Sequence, residues 1–597
     1  MHSNNMMAEP VVTAIEANQC IQTKAHTVRL FAGKSCMVRV FISMPTTNRN
    51  RFVRGTLQIS QTACGHSHAL KSTSSFIKLT DPIDLDIWRN RSLKHSLNFL
   101  VPPDTLKPGA AEFRLVRISS VGSNETFTWE NDAPTLSLDI HDTTVLRMRL
   151  LGINLAPDHS TNRLANFNSR FANTVSYLAR ILPVSGVIST NTIVAKPTLL
   201  DTPEEPRTTG TEVEESASSQ WKAQMNALHM QLLIMRYLDI DAGADHRAHY
   251  HSILFSPIEP FDGSASDVPA DPDASVVSAG PSVGLSSDRS GHYTAHEVGH
   301  ALGLLHPGYC NSQQVEDFEA HEQYPRGLIA NTSEDTVGLD TGDTRTGTRP
   351  TIVDGLETHD FMTYCDDVWI SKRNYDHIHQ RLMQEWQLPQ PHNGRFLLLV
   401  GQFDTDRKTG SFGGIHRLKM AVLSRQVATS QLAIRLTSKS QVCTTLYISE
   451  KNPLAIGGDF SSGVFSMVID EPEPLDSVEL LFNNKPIYVL NAIPNSQISD
   501  NLLNDASINI TSIKNHLDGI VVKFSQTRIP NNSYFAVQVK TDQSADWLTI
   551  GVFVHSLETT LVDKRYTNQP NCRIRVILSD MNHTVIPLNE FLTSDYS

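Results

Sequence analysis

Residues His296 to His306 read His-Glu-Val-Gly-His-Ala-Leu-Gly-Leu-Leu-His, and each fixed position in that string answers a separate demand of zinc hydrolysis. On a helix, His296 and His300 stand one turn apart on the same face, the separation two nitrogens need to share a tetrahedral Zn²⁺. Glu297 is carried beside them. Gly303 can take the positive-φ backbone that ends a helix and swings the chain round, so that His306 reaches the same ion from another direction. Three protein ligands leave a fourth position for water, whose pKa a zinc ion lowers to about 7. Glu297 is placed to take the proton of that zinc-bound water during attack on a carbonyl carbon. A His-rich amphipathic helix would account for histidines at i and i+4, but not for the glutamate, the glycine or the third histidine. His292 also lies four residues before His296, yet no glutamate follows it, and it reads as structural.

Further along, Asp360-Phe361-Met362-Thr363-Tyr364-Cys365 follows the third histidine at a separation that fits a second element of such a site. Residues 296 to 306 and 360 to 365 together resemble the metzincin metallopeptidases, with weaker support over about 145 to 390. The resemblance implies that Met362 forms an apolar floor under the histidines without ligating the metal. It also implies that Tyr364 acts like the tyrosine of astacin-like and serralysin-like members, a distant fifth ligand that swings away to hydrogen-bond the tetrahedral oxyanion. A buried ring with a satisfied hydroxyl is the alternative for Tyr364. The activity implied is a zinc endopeptidase hydrolysing peptide bonds of protein substrates, with Glu297 as base and later proton donor to the leaving amine. Cys310 and Cys365 should both lie near the metal, either as a disulfide or as two reduced thiols packed as small apolar groups. Cys64, in Ala-Cys-Gly-His-Ser-His, departs from the cysteine-switch motif of matrix metalloproteinases and reads as an ordinary buried cysteine.

A scaffold able to present the zinc helix is visible in the periodicities around it. Val145 to Ile153 alternates as a strand; Leu164, Phe167, Phe171, Val175 and Leu178 recur at helical spacing; and Val187 to Val194 returns as a strand. Asp201 to Ser219 has no apolar period and reads as a polar linker. Trp221, Met225, Leu228, Leu232 and Met235 then form a helical stripe, and His251 to Phe255 a strand. The loop from Pro257 to Ala279 and the extended piece around Val283 to Leu285 precede the zinc helix. In metzincins the strand at this place is an antiparallel sheet edge that takes the substrate, and Gly280, Gly284 and Ser286 suit close backbone approach as well as plain turns. After the second motif, Ser371 can cap a helix with Tyr375, Ile378, Leu382 and Trp386 on one face, closed by Pro389.

Both ends of the chain alternate as β. The fold expected is multidomain: an α/β (α+β) metzincin-like catalytic domain over 143–393, flanked by all-β sandwich domains over 1–142, 394–497 and 498–597, with a break near Asn495 to Asp500. The last domain, with Trp547 and the Arg573 to Leu578 strand, looks like a fibronectin type III module. At 597 residues, 40% hydrophobic and 19% charged, the chain is long enough for three or four such cores.

A net charge of -13 argues against nucleic acid as a partner, because phosphate neutralisation needs clustered Lys and Arg. No apolar run is long enough to span a membrane, and Met1 to Cys20 shows neither the basic start nor the long apolar stretch by which a secretory leader is read. The metzincin resemblance implies work outside cells, with a cytoplasmic site left open, and the partner expected is a protein or peptide substrate met by a monomer. Asn124 and Asn582 begin glycosylation signals that matter only where the source glycosylates secreted proteins. Asp404 and Asp406 could hold calcium, though a plain hairpin is the simpler expectation. Two competing functions fit the same sequence: a surface-binding protein or adhesin with a vestigial zinc site, and a peptidase restricted to glycoproteins.

Overall fold

The computed structural model describes residues 10–43, 52–61, 65–73, 77–78, 92–121, 126–129, 133–154, 167–194, 212–255, 263–273, 275–281, 287–310, 315–330, 335–425, 427–438, 441–448, 462–472, 474–491, 508–516, 519–526, 534–542, 546–554, 560–563, 566, 569, 571–579, 584–585 and 590–592. Cys64, Asn124, Asn582, Gly284, Ser286, Leu164, the Val283 to Leu285 piece and the Asn495 to Asp500 break lie outside them. The described chain is β-rich, with helices α1 (Phe167–Ile181), α2 (Glu212–Asp241), α3 (Ser287–Ala301), α4 (Phe318–Gln323) and α5 (Lys372–Glu385). It divides into two compact units, one of Met1–Leu146, Ala172–Ile188 and Leu304–Trp386, the other of Arg147–Phe171, Ser189–Gly303 and Gln387–Ser597. The segment 143–393 thus contributes to both.

In the first unit, strands Val11–Asn18, Cys36–Ser43 and Leu97–Val101 form one sheet, and Leu30–Phe31, Thr135–His141, Gly109–Ser120, Phe52–Gln61 and His66–Lys71 run through a second. Alternation explains why they pack: Val38 lies opposite Phe99 and Val40 opposite Leu97, and these meet Leu57, Ile59, Phe113 and Leu115 of the other sheet in one core. The short strand Ile21–Thr23 pairs with Thr336–Asp340, which also pairs with Thr351–Val353. Buried Lys34 donates from Nζ to the carbonyls of Ala179, Arg180 and Leu182 at 2.6, 3.0 and 2.8 Å, capping the C-terminal end of α1. A cation there is favoured by the helix dipole as well as by the orphaned carbonyls. Burial nonetheless pulls this ammonium down to about 8.

The second unit holds a five-stranded sheet in the order Val187–Val194, Leu146–Asn154, His249–Phe255, Ser278–Pro281, Ser264–Ala265. His249–Phe255 runs parallel to the strands on either side of it, and Ser264–Ala265 closes the edge antiparallel. The strand nearest before the zinc helix, Ser278–Pro281, is therefore interior rather than the sheet edge expected of it.

Helix α2 starts at Glu212, inside the stretch read as polar linker. The physical reason is propagation: once its later turns are fixed by packing, each further Glu, Ala or Ser adds a hydrogen bond at small cost. Those turns are buried all round, with Leu228, Leu232, Leu233 and Ile234 in one core with Phe396, Leu398, Val400, Val464, Ala536, Val552 and Ile577. Its polar residues are satisfied by the same β layers: Gln231 Nε2 donates to the Val552 carbonyl at 3.0 Å, and Asp241 Oδ1 accepts from the Met420 N–H at 2.9 Å. The β regions beyond 394 keep cores of their own on their other faces, one around Leu397, Ile434, Phe465 and Leu480, the next around Phe535, Val537, Ile574 and Val576. In the latter, Arg575 lies over the Trp547 ring, 4.2 Å from its centroid.

Candidate metal centre

Helix α3 carries His296, Glu297 and His300 toward its C-terminal end, all buried. Its placement on the sheet comes from His251, whose Nδ1 meets Ser278 Oγ at 2.8 Å and whose Nε2 meets Thr294 Oγ1 at 3.1 Å. Burial, with a smaller contribution from His229, depresses His251 to about 3, so the ring stays neutral and bridges two hydroxyls.

The helix ends where the sequence says it should. Gly303 has φ +88° and its N–H bonds the His300 carbonyl at 2.8 Å, which turns the chain toward His306. One ring nitrogen each of His296, His300 and His306 lies within 4.8 Å of the others, a grouping able to hold a metal ion. The His296 and His300 rings are 4.9 Å apart at 82°, edge to face.

His306 has a partner that no local pattern in the sequence discloses. Its Nδ1 lies 2.8 Å from Glu316 Oε2, and its backbone N–H donates to the same oxygen at 3.1 Å. Glu316 and Asp317 N–H groups return bonds to the His306 carbonyl at 3.0 and 2.9 Å. With Nδ1–H committed to a carboxylate, Nε2 is the lone pair left for a metal. Arg373 on α5 pairs with Asp317 and reaches Glu319 Oε2 at 3.2 Å, which fixes the Glu316 segment in turn.

Glu297 also has a close neighbour. A Cβ placed on Gly263 would fall 2.2 Å from Glu297 Oε1 and 2.6 Å from its Cδ, so only glycine leaves room for the carboxylate as it stands. Gly263 immediately precedes the edge strand Ser264–Ala265.

The turn 360–365 is built on Asp360. Its Oδ1 accepts from Met362 N–H and Asn374 Nδ2, and its Oδ2 from Ser371 N–H, each at 2.8 Å. Met362 is fully buried, whereas Tyr364 is 40% exposed with its ring 4.9 Å from that of His306. Tyr364 is therefore a surface ring against a candidate ligand, not a buried one. Cys310 and Cys365 are joined as a disulfide.

Three other histidines near this region are packed: His229 is buried with Nε2 3.2 Å from the Ser264 carbonyl, His246 is buried, and His292 stacks on Tyr293. Asp404 accepts from the Arg407 N–H at 2.8 Å in the hairpin between His392–Asp404 and Thr409–Ala421, and neither it nor Asp406 falls in a metal-capable group among the described residues.

No family model matches the chain. No curated protein matches it in sequence. Solved structures give faint likenesses: "Structure of a chaperone-substrate complex" at TM-score 0.14 and 15% identity, over 36% of this chain and 32% of that one; and a β-glucuronidase of Parabacteroides merdae at TM-score 0.13 and 9% identity, over 98% of this chain and 77% of that one. A β-glucuronidase of Bacteroides uniformis is similar at TM-score 0.13 and 8% identity, over 95% and 79%. The chain spans about a third of the first of these, and likenesses this low carry no argument about fold or function.

Proposed function

We propose that the chain is a zinc-dependent endopeptidase of metzincin type, with His296, His300 and His306 as metal ligands and Glu297 as the general base. What supports it most is the clustering of the three imidazole nitrogens within 4.8 Å of one another on an His-Glu-x-x-His helix that Gly303 terminates. The donor set fits Zn²⁺: three imidazoles, one with its second nitrogen held by a carboxylate. When bound, the ion supplies Lewis acidity, polarising a peptide carbonyl and making water acidic near neutral pH.

The chain's own residues do the rest. Glu297 takes a proton from the attacking water and later delivers it to the leaving amine. The Tyr364 hydroxyl donates a hydrogen bond to the oxyanion. A substrate strand added to the edge Ser264–Ala265 would have its backbone paired there, with Gly263 bringing it beside Glu297.

Casein cleavage with and without chelator tests the activity, and Glu297→Ala tests the mechanism. That variant should keep its zinc and its fold while losing about 10²- to 10⁴-fold in turnover. His300→Ala should lose the metal. Zinc-loaded protein that cleaves no substrate would instead favour a surface-binding protein with a vestigial site.

A further inference from the structure

Besides the three-histidine cluster, one other group of side chains among the described residues has metal-ligand geometry: Cys310, His359 and Cys365 each place a ligand atom within 4.8 Å of the other two. The two sulfurs are bonded to each other, so no thiolate is offered in this state. His359 is the unexplained member. Its Nδ1 is buried and makes no hydrogen bond to any described protein atom, which leaves a desolvated polar atom without a structural partner.

We propose that this group is a second, redox-gated metal site: with the disulfide reduced, the Cys310 and Cys365 thiolates and His359 bind a thiophilic divalent cation such as Zn²⁺. The proposal does not depend on the peptidase reading.

Reduction requires a dithiol, of the thioredoxin class or a small-molecule equivalent. Its thiolate attacks the Cys310 sulfur, which belongs to an exposed residue, and the S–S bond breaks with Cys365 leaving as thiolate. The second thiol of the reductant resolves the mixed disulfide, so the reductant becomes a disulfide and the protein gains two electrons and two protons. Metal binding then displaces the two thiol protons.

The ligands would stay in place because other bonds hold their segments. Gly327, at φ +70°, brings its Cα against both neighbours: a Cβ there would lie 2.7 Å from Tyr309 Cδ2 and 2.8 Å from Thr363 Cγ2. The Tyr309 hydroxyl donates to the His321 carbonyl at 3.0 Å. Thr363 bonds the Asp360 carbonyl from both its N–H and its hydroxyl, at 2.9 and 2.7 Å. The His359 N–H donates to the Asp367 carbonyl at 2.9 Å. Two thiols and an imidazole held this way form a Cys₂His set with an open position, a ligand set known for zinc sites that keep a fourth position for solvent. A metal in reducing surroundings and a disulfide in oxidising ones would fasten the same two segments.

The test uses the full chain carrying His300→Ala, which removes the first centre, titrated with Co²⁺ before and after a phosphine reductant that does not compete for metal. The expected result is uptake of about one equivalent of cobalt only after reduction, with a near-ultraviolet sulfur-to-cobalt charge-transfer band and an unchanged circular dichroism spectrum. Adding Cys365→Ser should abolish the band, and adding His359→Gln should weaken binding at least about tenfold. No cobalt uptake after reduction, uptake without the band, uptake that survives Cys365→Ser, or loss of the fold on reduction would each overturn the proposal. Failure of the wild-type chain to cleave casein would leave it untouched.

Discussion

Glu316 and His306 are joined twice through one oxygen, Oε2 accepting from both the backbone N–H and Nδ1 of the histidine. A single carboxylate thus sets where the third imidazole sits and which of its nitrogens is free. Glu316→Ala should weaken zinc binding about 10- to 100-fold with little change in the fold, read by competition with a chromogenic chelator. Unchanged zinc affinity would show that the local turn alone orients His306.

Gly263→Ala separates the base from the ligands. The added methyl would occupy the space of the Glu297 carboxylate, whose flexible end can move aside, so the protein should fold and load zinc normally. Activity on casein should fall by about 10²-fold, the lower end of what a positioned base contributes. Wild-type turnover would show that the carboxylate works from another rotamer.

Tyr364→Phe removes a hydroxyl from a ring that is 40% exposed, so stability should change by less than about 0.5 kcal/mol. A fall in kcat of about 10²-fold with KM nearly constant would mark an interaction made only in the transition state. Equal kcat would leave the ring as packing against His306.

Acid should loosen the second unit through His416, which burial depresses to about 4. In the unfolded chain this imidazole protonates near its ordinary 6.5. As pH drops below that value the unfolded state binds a proton the folded state refuses, so stability declines through the window and levels off below 4. The loss from this one residue is about 3 kcal/mol. Denaturant unfolding at stepped pH should show a shallower decline for His416→Leu than for wild type; parallel profiles would assign the acid sensitivity elsewhere.

Legibility followed the range of the interaction. His296, Glu297, His300, Gly303 and His306 lie within eleven consecutive residues, where helical periodicity and one positive-φ glycine dictate the geometry, and the helix and turn came out where the letters placed them. The strands around Val38, Phe99, Leu432, Val478 and Phe535 were likewise readable from alternation. Glu316 and Gly263 were not, since neither belongs to a periodic pattern and each matters only through a contact made in three dimensions. The pairing of Ile21–Thr23 with Thr336–Asp340, and the division of 143–393 between two units, are long-range pairings that local spacing does not encode. The stripe Trp221, Met225, Leu228, Leu232 and Met235 marks α2 as a helix but not its enclosure, which follows from Met230, Leu233, Ile234 and Ile240 off that stripe leaving no face for water.

That enclosure governs how the polypeptide can be made. Throughout translation the faces of α2 that meet Phe396, Val464, Ala536 and Ile577 stay bare until those strands, about 160 to 350 positions downstream, have emerged, which gives the second unit a high contact order and a prolonged aggregation-prone interval. A trimmed protein stopping near residue 393 would keep every candidate zinc ligand yet expose the greasy faces of that helix that the later strands cover, and should be recovered from cells as insoluble material.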